Sequence, residues 1–521
     1  MISAKIHDWC GTFLHDAKKI FLFSLGLGTV ISVISVLVIS DIYRDVANVY
    51  AYHARELGAG DLAGGWVGGV PMLNILLAGG LVRLGMDAYR ACVTVSCAFY
   101  VLTLFPLRRY LERWLSPLAS AYGCLLFIVT PKVIRYSVSG PIDSTRYFFL
   151  IGALLFMFRL IEDPTWRRAV MFGLCTAGMA VSRGEGIVVS LIMLSVLPLL
   201  SCLLRGSYGR KPVARHIAVA ATAWVVFFVG ISPFCTVNLI RYNTFVTDIR
   251  FAERIPVLNR NIYRHGNSTG KPPAAVAGVV YDDDEKESLP ERIYKSINSS
   301  LRGGFELYWA FAIFGIITLL RRRQWRWEFS VLLAAYLIHQ AIYFSVSISY
   351  RYSIYMVPMF MPLTVVGLGR SIDAYRNWHA LDRWRTALDA AWIVVAVIVG
   401  VACIDNGMEI VFNRSDDPKR AAAAFIREWG ARNVPDRRLR IADDGYFPEV
   451  IYWSEAFRVS GVSNPRRWDE CRDCDLIFVG DRGLPAALAR SNLKFLKSFV
   501  LRGKNRGHLF QVTAPTGKGQ K

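Results

Sequence analysis

The sequence predicts a polytopic α-helical membrane protein that ends in a small α/β domain. Of its 521 residues, 54% are hydrophobic, against about 45–50% in soluble domains. The excess lies in blocks close to the roughly 20 residues that a helix needs to cross a bilayer. The formal net charge is +21, and the basic residues gather in short loops between these blocks. That placement is typical of topology signals and contacts with anionic lipid, and it argues against nucleic-acid binding.

The apolar blocks predict about eleven membrane spans. They lie near residues 20–40, 88–107, 115–131, 143–160, 168–182, 186–204, 216–238, 305–320, 327–347, 353–369 and 386–404. The first span follows Lys5, Lys18 and Lys19 and resembles an uncleaved signal anchor. An N-terminus inside the cell then puts every strongly basic short loop on the inner side, and an odd number of spans puts the C-terminus outside.

We predict two domains, a membrane domain over residues 1–405 and an α/β domain over residues 406–521, outside the membrane. The membrane domain carries two long outer loops, 41–87 and 239–304, and MLNILLAGGLVRL in the first loop is an apolar but short segment typical of an interfacial helix. In the tail, PKRAAAAFIREWG predicts a helix that starts at Asp417-Pro418 and stops at Gly430. RLRIADD, FRVSG and DLIFVG predict strands, YFPEVIYWSEA predicts a helix, and FLKSFVLR with HLFQVTA predicts a closing hairpin.

The cysteines offer no complete metal site. Seven of the ten fall in or beside apolar blocks, where cysteine acts as a small hydrophobe. Cys471 and Cys474 form one CxxC without a second pair of ligands nearby, so a local disulfide or two free thiols is the expectation. The acidic run at 282–285 lacks the spacing of a calcium-binding EF-hand and is interpreted as a solvated loop.

Charged residues recur at the outer ends of the predicted spans, where charge is costly unless it is used. A single arginine there is most simply explained by contact with lipid headgroups, but so many on one side indicate a phosphate or pyrophosphate ligand borne by the membrane. The set comprises Asp41, Arg44, Asp45, Lys132, Arg135, Tyr136, Asp143, Arg146, Arg183, Glu185, Arg241, Tyr242, Arg351 and Tyr352.

Several of these residues sit in segments that resemble the GT-C glycosyltransferases. DIYRDVANVYAYHARELGAGDL resembles the first outer loop of that superfamily, closest to the branch of the protein O-mannosyltransferases and the aminoarabinose lipid A transferases. The matching residues are Asp41, Tyr50, Ala51, Ala54 to Leu57, and Gly60-Asp61, and Val70-Pro71 stands at the entry to the interfacial helix. SRGEG, RYNTF and RYSIYMVP resemble later motifs of the family, in the same order.

The resemblance implies a GT-C fold and the transfer of a sugar from a polyprenyl-phosphate donor, of the undecaprenyl type, to a lipid, glycan or protein acceptor with inversion at the anomeric carbon. Asp41 is the expected general base, with Asp45 and Asp143 as its candidate partners. Cations would bind the leaving phosphate. The candidates are Arg183, Arg241 and Arg351, with Lys132, Arg135 and Tyr352 as further ligands.

The family often has a paired acid at the first site, whereas Ile42 follows Asp41 here. Asp45 comes one helical turn later, and on a continuous helix that spacing would put both carboxylates on one face. The missing pair argues against a bound divalent metal, although a metal is left open. No other cofactor is expected.

The predicted location is a bacterial inner membrane with the active site facing the periplasm. The main alternative function is a transporter or flippase of lipid-linked sugar that performs no chemistry, which would need charged or broken helices near the middle of the membrane. A third hypothesis is a sensor or assembly protein anchored by its membrane part. It is the weakest of the three, because an anchor does not need about eleven spans.

Overall fold

The computed structural model describes residues 16–39, 41–43, 45–66, 68, 70–204, 212–249, 290–291, 294, 297–298, 306–322, 326–344, 354–376, 385–412, 417–443, 448–458, 474–481, 484–488, 493–502 and 505–513. Its principal helices up to residue 412 are α1 Ala17–Val38, α2 Ala51–Gly58, α3 Leu62–Gly65, α4 Leu73–Arg83, α5 Ala88–Leu102, α6 Leu104–Leu111, α7 Pro117–Val129, α8 Pro131–Val138, α9 Asp143–Glu162, α10 Trp166–Ser182, α11 Gly184–Leu203, α12 Val213–Tyr242, α13 Glu306–Arg321, α14 Trp327–Phe344, α15 Met356–Arg376 and α16 Arg385–Phe412. A π-helical turn, Val46–Tyr50, precedes α2.

Each of the eleven predicted spans coincides with one or two of these helices. Among the described residues, six helices are long and apolar enough to cross a membrane, or seven if one bent pair forms a single span. That pair is α7 and α8, which meet at an angle of 59°. The bend falls at Thr130-Pro131, because proline lacks the N–H that a continuous helix would use. The polytopic helical class is thus confirmed, and the number eleven stays a prediction.

The chain divides into two compact units. Unit 1 comprises residues 1–38, 93–232 and 285–410, and unit 2 comprises residues 39–92, 233–284 and 411–521. The predicted boundary at 405/406, which keeps the first outer loop with the membrane domain, stays a prediction. The loop belongs to unit 2 because its helices pack with the C-terminal elements.

Unit 1 is built from packed apolar helices. α9 packs against α10 and α11, and α13 packs against α15. The last contact brings two backbones together, since a side chain at Gly315 or at Gly367 would collide with the facing helix. Small residues permit such an approach between membrane helices.

In unit 2, the first outer loop folds into short helices. Gly60 has φ +88° and makes the turn after α2, which glycine does without steric cost. Asp61 then caps α3 by accepting hydrogen bonds from the N–H groups of Ala63 and Gly64. The Gly60-Asp61 motif is therefore a turn followed by a helix cap, and α2 packs on α4, the predicted interfacial segment.

The C-terminal part of unit 2 is an α/β structure. It contains α17 Asp417–Asn433, β1 Arg440–Asp443, α18 Pro448–Ser454, β2 Phe457–Arg458, β3 Leu476–Gly480, α19 Leu484–Leu488, β4 Leu493–Arg502 and β5 Asn505–Val512. The sheet order is β2-β1-β3-β5-β4. The pairs β2–β1 and β1–β3 are parallel, and the pairs β3–β5 and β5–β4 are antiparallel.

The strands, the helix α18 and the closing hairpin follow the sequence prediction. The predicted stop of α17 at Gly430 is wrong, because the helix continues to Asn433. Gly430 is buried and packs against Leu439, so this glycine serves close packing of the helix on the chain before β1. The short helix α19 was not predicted.

Candidate active site

Asp41 lies three residues after the end of α1 at Val38. It is only 5% exposed. Its backbone carbonyl accepts a 2.6 Å hydrogen bond from the hydroxyl of Tyr89. Tyr89 is itself 1% exposed and lies in the first turn of α5. The acid at the end of the first apolar block is thus a buried residue of unit 2 whose backbone is held by Tyr89.

Asp45 does not share a helix face with Asp41, so that prediction is wrong. Residues 41–43 are not helical, and helical structure resumes only at Asp45. Asp45 is exposed, whereas Asp41 is buried. The spacing argument assumed an unbroken helix across both residues, and the break removes the basis for pairing them.

Asp143, Arg146, Arg183 and Glu185 form an ion cluster in unit 1. Arg183 lies at the break between α10 and α11 and donates to Asp143 Oδ1 and to Glu185 Oε1, both at 2.5 Å. Arg146 donates to the same Glu185 oxygen at 3.0 Å, and its guanidinium lies 3.9 Å from the ring centroid of Tyr355. The four side chains are nearly buried.

The cluster contains two acids and two guanidinium groups, so its formal charges balance. Buried charges require such pairing, because an unpaired one would lose its hydration without compensation. The sequence reasoning grouped these four residues on one side, and the structure brings them into direct contact. It also shows that Arg183, a predicted phosphate ligand, already binds two carboxylates.

The other predicted phosphate ligands occupy different settings. Lys132 and Arg135 lie on α8 in unit 1, where Arg135 forms a 3.6 Å ion pair with Glu409 and is 41% exposed. Arg241 lies in the last turn of α12, in unit 2, and donates to the carbonyl of Ala63 at 3.1 Å. Arg351 and Tyr352 lie outside the described residues.

The RYNTF segment contacts the first outer loop within unit 2. Tyr242 donates to the carbonyl of Trp66 at 3.1 Å, and the Trp66 indole donates to Asn238 at 2.8 Å. Asn243 has φ +53° and follows the end of α12, a role that asparagine fills more readily than most residues. Two motifs that are distant in the sequence therefore form one local structure.

Residues that the sequence reasoning missed connect the first outer loop to α18. Tyr452 accepts a 3.1 Å hydrogen bond from the N–H of Tyr89, and Arg55 lies 4.3 Å from the centroid of the Tyr452 ring. Glu56 accepts hydrogen bonds from Arg438 at 2.9 and 3.1 Å. Arg55 and Glu56 stood in the quoted motif, but their partners lie almost 400 residues away and carry no local signal.

The C-terminal part of unit 2 contains a disulfide-bonded cysteine and a row of polar side chains. Cys474 is disulfide-bonded; Cys471, its partner in the expected local disulfide, lies outside the described residues. A hydrogen-bonded row is formed by Ser498, His508 and Asp481. Ser498 Oγ lies 2.7 Å from His508 Nδ1, and His508 Nε2 lies 3.0 Å from Asp481 Oδ1. Ser498 is exposed on the β4–β5 hairpin, and the row joins β4 and β5 to the turn after β3. Within the described ranges, no group of three His, Cys, Asp or Glu side chains is arranged to hold a metal ion.

Residues 70–236 match the family model of the dolichyl-phosphate-mannose-protein mannosyltransferases. The structure is similar to that of ArnT from Cupriavidus metallidurans bound to undecaprenyl phosphate, with 14% identity and a TM-score of 0.57, over 95% of this chain and 99% of ArnT. The apo form of ArnT gives a TM-score of 0.56, with the same identity and coverage.

A weaker likeness links the chain to the Archaeoglobus fulgidus oligosaccharyltransferase in its apo form. The identity is 11% and the TM-score is 0.48, over 88% of this chain and 69% of that chain. No curated protein sequence matches this chain.

The fold is that of the polytopic GT-C membrane proteins. Over residues 70–236 the chain is thus similar to the mannosyltransferase family, and its fold is similar to that of ArnT.

Proposed function

We propose that this protein transfers a sugar from a polyprenyl-phosphate donor to a lipid, glycan or protein acceptor on the outer face of a bacterial inner membrane. The observation that carries the proposal is the GT-C fold, with a buried acid at the end of its first helix. The name of the matched family includes a sugar linked to dolichyl phosphate, and the ArnT structure contains undecaprenyl phosphate. Both names support a polyprenyl-phosphate donor.

The proposed chemistry is a single displacement at the anomeric carbon. The acceptor hydroxyl or phosphate forms the new bond to that carbon, Asp41 takes the acceptor proton where there is one, and the bond to the lipid phosphate breaks. Attack from the opposite face inverts the configuration. A positioned acid or base typically contributes about 10²–10⁴-fold in rate, so Asp41 accounts for only part of the catalysis.

Cations would neutralise the charge that develops on the departing phosphate. We assign this role to Arg241 and Arg351, with Lys132, Arg135 and Tyr352 as further ligands. Arg183 can join them only by giving up some of its bonding to Asp143 and Glu185, so its first role is to balance their charge. Asp143 is correspondingly assigned to the ion cluster and not to proton transfer.

The outward orientation has two supports. The strongly basic short loops are consistent with a cytoplasmic N-terminus. The disulfide at Cys474 belongs to a part of the chain predicted to lie outside, and disulfides persist mainly in oxidising compartments such as the periplasm.

The test is an assay with the purified full-length protein and a labelled polyprenyl-phosphate sugar. Transfer releases free polyprenyl phosphate, whereas a flippase moves the intact donor and releases none. Asp41→Asn should abolish release while leaving expression and membrane insertion unchanged. Asp373→Asn makes the same chemical change at an exposed residue of α15 and should keep wild-type activity. Wild-type release by Asp41→Asn would rule out the assigned base.

A further inference from the structure

A chain of hydrogen bonds runs from α18 to the backbone of Asp41. The Tyr452 hydroxyl accepts from the N–H of Tyr89 at 3.1 Å and faces Asp87 Oδ2 at 3.4 Å. The Tyr89 hydroxyl in turn donates to the carbonyl of Asp41 at 2.6 Å. Both tyrosines are at most 2% exposed, so water does not compete for these bonds. All four residues belong to unit 2.

The Tyr452 hydroxyl is suited to this position. Burial raises the pKa of Tyr452, because an ionised phenolate would lose its hydration. The hydroxyl therefore stays protonated at neutral pH and can both accept from Tyr89 and donate toward Asp87. Asp87 also caps α5, since its Oδ1 accepts from the N–H groups of Tyr89 and Arg90 at 3.0 Å. The start of α5 is thus held from two sides.

A second set of contacts fixes α18 against α2. Arg55 stacks on the Tyr452 ring at 4.3 Å, within the range of a cation–π interaction. The neighbouring Glu56 is 7% exposed at its side chain and binds Arg438, which also donates to the carbonyl of Glu455 at 3.0 Å. In addition, α18 packs on the π-helical turn that leads from Asp41 into α2.

We propose that the C-terminal α/β part positions Asp41, through Tyr452 and Tyr89, and that Arg55-Glu56 is the docking pair that holds it in place. The proposal rests on the proposed role of Asp41 as the base. Tyr89 and Tyr452 are positioning residues, since they contact backbone and neighbouring side chains and not the reacting atoms. This gives a function to the α/β part and to a sequence motif that the transfer chemistry leaves unexplained.

Loss of either hydroxyl should lower the rate of the chemical step more than substrate binding. A displacement of about 1 Å in a catalytic group can reduce the rate about 100-fold. A phenylalanine at either position keeps the ring, so packing and the Arg55 stacking persist. Tyr89→Phe loses the bond to Asp41, and Tyr452→Phe loses the bonds with Tyr89 and Asp87. We therefore expect Tyr89→Phe and Tyr452→Phe to lower kcat at least about 10-fold, within that range, with donor and acceptor KM changed by less than about threefold.

Tyr110→Phe is the matched control. Tyr110 is fully buried in unit 1, and its hydroxyl also donates to a backbone carbonyl, that of Met359, at 2.9 Å. All three variants should lower the thermal unfolding temperature of the detergent-purified protein to a similar extent. Only the two variants of unit 2 should lose kcat. A wild-type kcat in Tyr89→Phe, or an equal loss of kcat in Tyr110→Phe, would overturn the proposal.

A double variant tests whether the two tyrosines act in series. If Tyr452 acts on Asp41 through Tyr89, Tyr89→Phe combined with Tyr452→Phe should lower kcat no more than the worse single change. Two independent effects would multiply, and that result would exclude the series. Failure of this proposal is distinguishable from failure of the proposed function. Activity in Asp41→Asn refutes the base, whereas an inactive Asp41→Asn with fully active tyrosine variants refutes the positioning alone.

Discussion

The ion cluster of unit 1 and the surroundings of Asp41 in unit 2 hold buried acids in different ways. In the ion cluster, Asp143 and Glu185 are bound directly by the guanidinium groups of Arg183 and Arg146. Around Asp41, a neutral tyrosine hydroxyl binds the backbone of the acid. The first arrangement balances charge between side chains, and the second fixes the position of a residue through its main chain. The partners of a buried acid are therefore decided by the fold, and the sequence does not show them.

The largest expected effect on stability is in the ion cluster. Arg183→Gln leaves Asp143 buried without its guanidinium partner, and removal of one member of a buried ion pair costs about 3–5 kcal/mol. Thermal unfolding of the purified protein, followed by loss of helical circular dichroism, measures the change. Arg241→Gln is the matched control, since Arg241 is exposed and contacts only a carbonyl in the described contacts. An unfolding temperature equal to that of wild type would show that Arg183 does not stabilise the cluster.

The second-largest effect on stability is also expected in the ion cluster. Asp143→Asn combined with Arg183→Gln replaces both charges by amides, so neither residue leaves an unpaired charge in the protein. The double variant should therefore be more stable than Arg183→Gln alone, by roughly 1–3 kcal/mol, the usual size of coupling between contacting residues. Additive losses in the double-mutant cycle would contradict direct charge pairing.

A smaller effect is expected at the ion pair of Glu56 with Arg438 in unit 2. Arg438→Gln leaves the buried Glu56 without its charged partner, and an unsatisfied buried group costs about 1–3 kcal/mol. Arg438 is itself 38% exposed, so the lower end of that range applies. Reversal of both charges, Glu56→Arg with Arg438→Glu, should recover part of the loss. Limited proteolysis of the α/β part measures it, and equal cleavage rates in the single and reversed variants would argue against the pair.

The smallest effect concerns the row of Asp481, His508 and Ser498. The N–H of Arg506 and the His508 ring bind Asp481 and lower its pKa from the ordinary 3.8. A lowered carboxyl pKa in the folded protein stabilises it fully above the unfolded value, and this contribution is lost as the pH falls through the folded value. Hydrogen exchange of the β4–β5 hairpin should therefore rise on acidification below about pH 4.

Asp481→Asn provides the control for that pH dependence. At each pH, exchange in wild type is compared with exchange in the variant, so the intrinsic pH dependence of amide exchange cancels. The difference in exchange rate between wild type and Asp481→Asn should shrink as the pH falls below 3.8. A difference that stays constant with pH would show that ionisation of Asp481 does not support the hairpin.

Much of the fold could be predicted because its signals are local. Apolar blocks of bilayer length and alternating strand patterns depend on residues close in sequence, so the helices and the strands β1 to β5 were predicted near their observed positions. Asp417 and Pro418 marked the start of α17 correctly. Gly430 does not end α17 as predicted. Its buried contact with Leu439 is a tertiary effect that outweighs the weak helix propensity of glycine.

The candidate site could be predicted only in part. Asp41 was found from its place at the end of an apolar block, and Asp143 with Arg183 from their side of the predicted spans. The supposed shared helix face of Asp41 and Asp45 was wrong because residues 41–43 are not helical. Tyr89 and Tyr452 gave no signal, since a tyrosine in an apolar segment is usually only part of the core.

Local sequence signals were enough to predict the membrane class, the order of the helices and strands, the acid after the first helix and the resemblance to GT-C enzymes. Only the folded chain shows which charges neutralise one another and which residues contact Asp41. Local patterns follow from the periodicity of helices and strands. A hydrogen bond between residues more than 360 positions apart, such as that of Tyr89 with Tyr452, depends on the folded path of the whole chain.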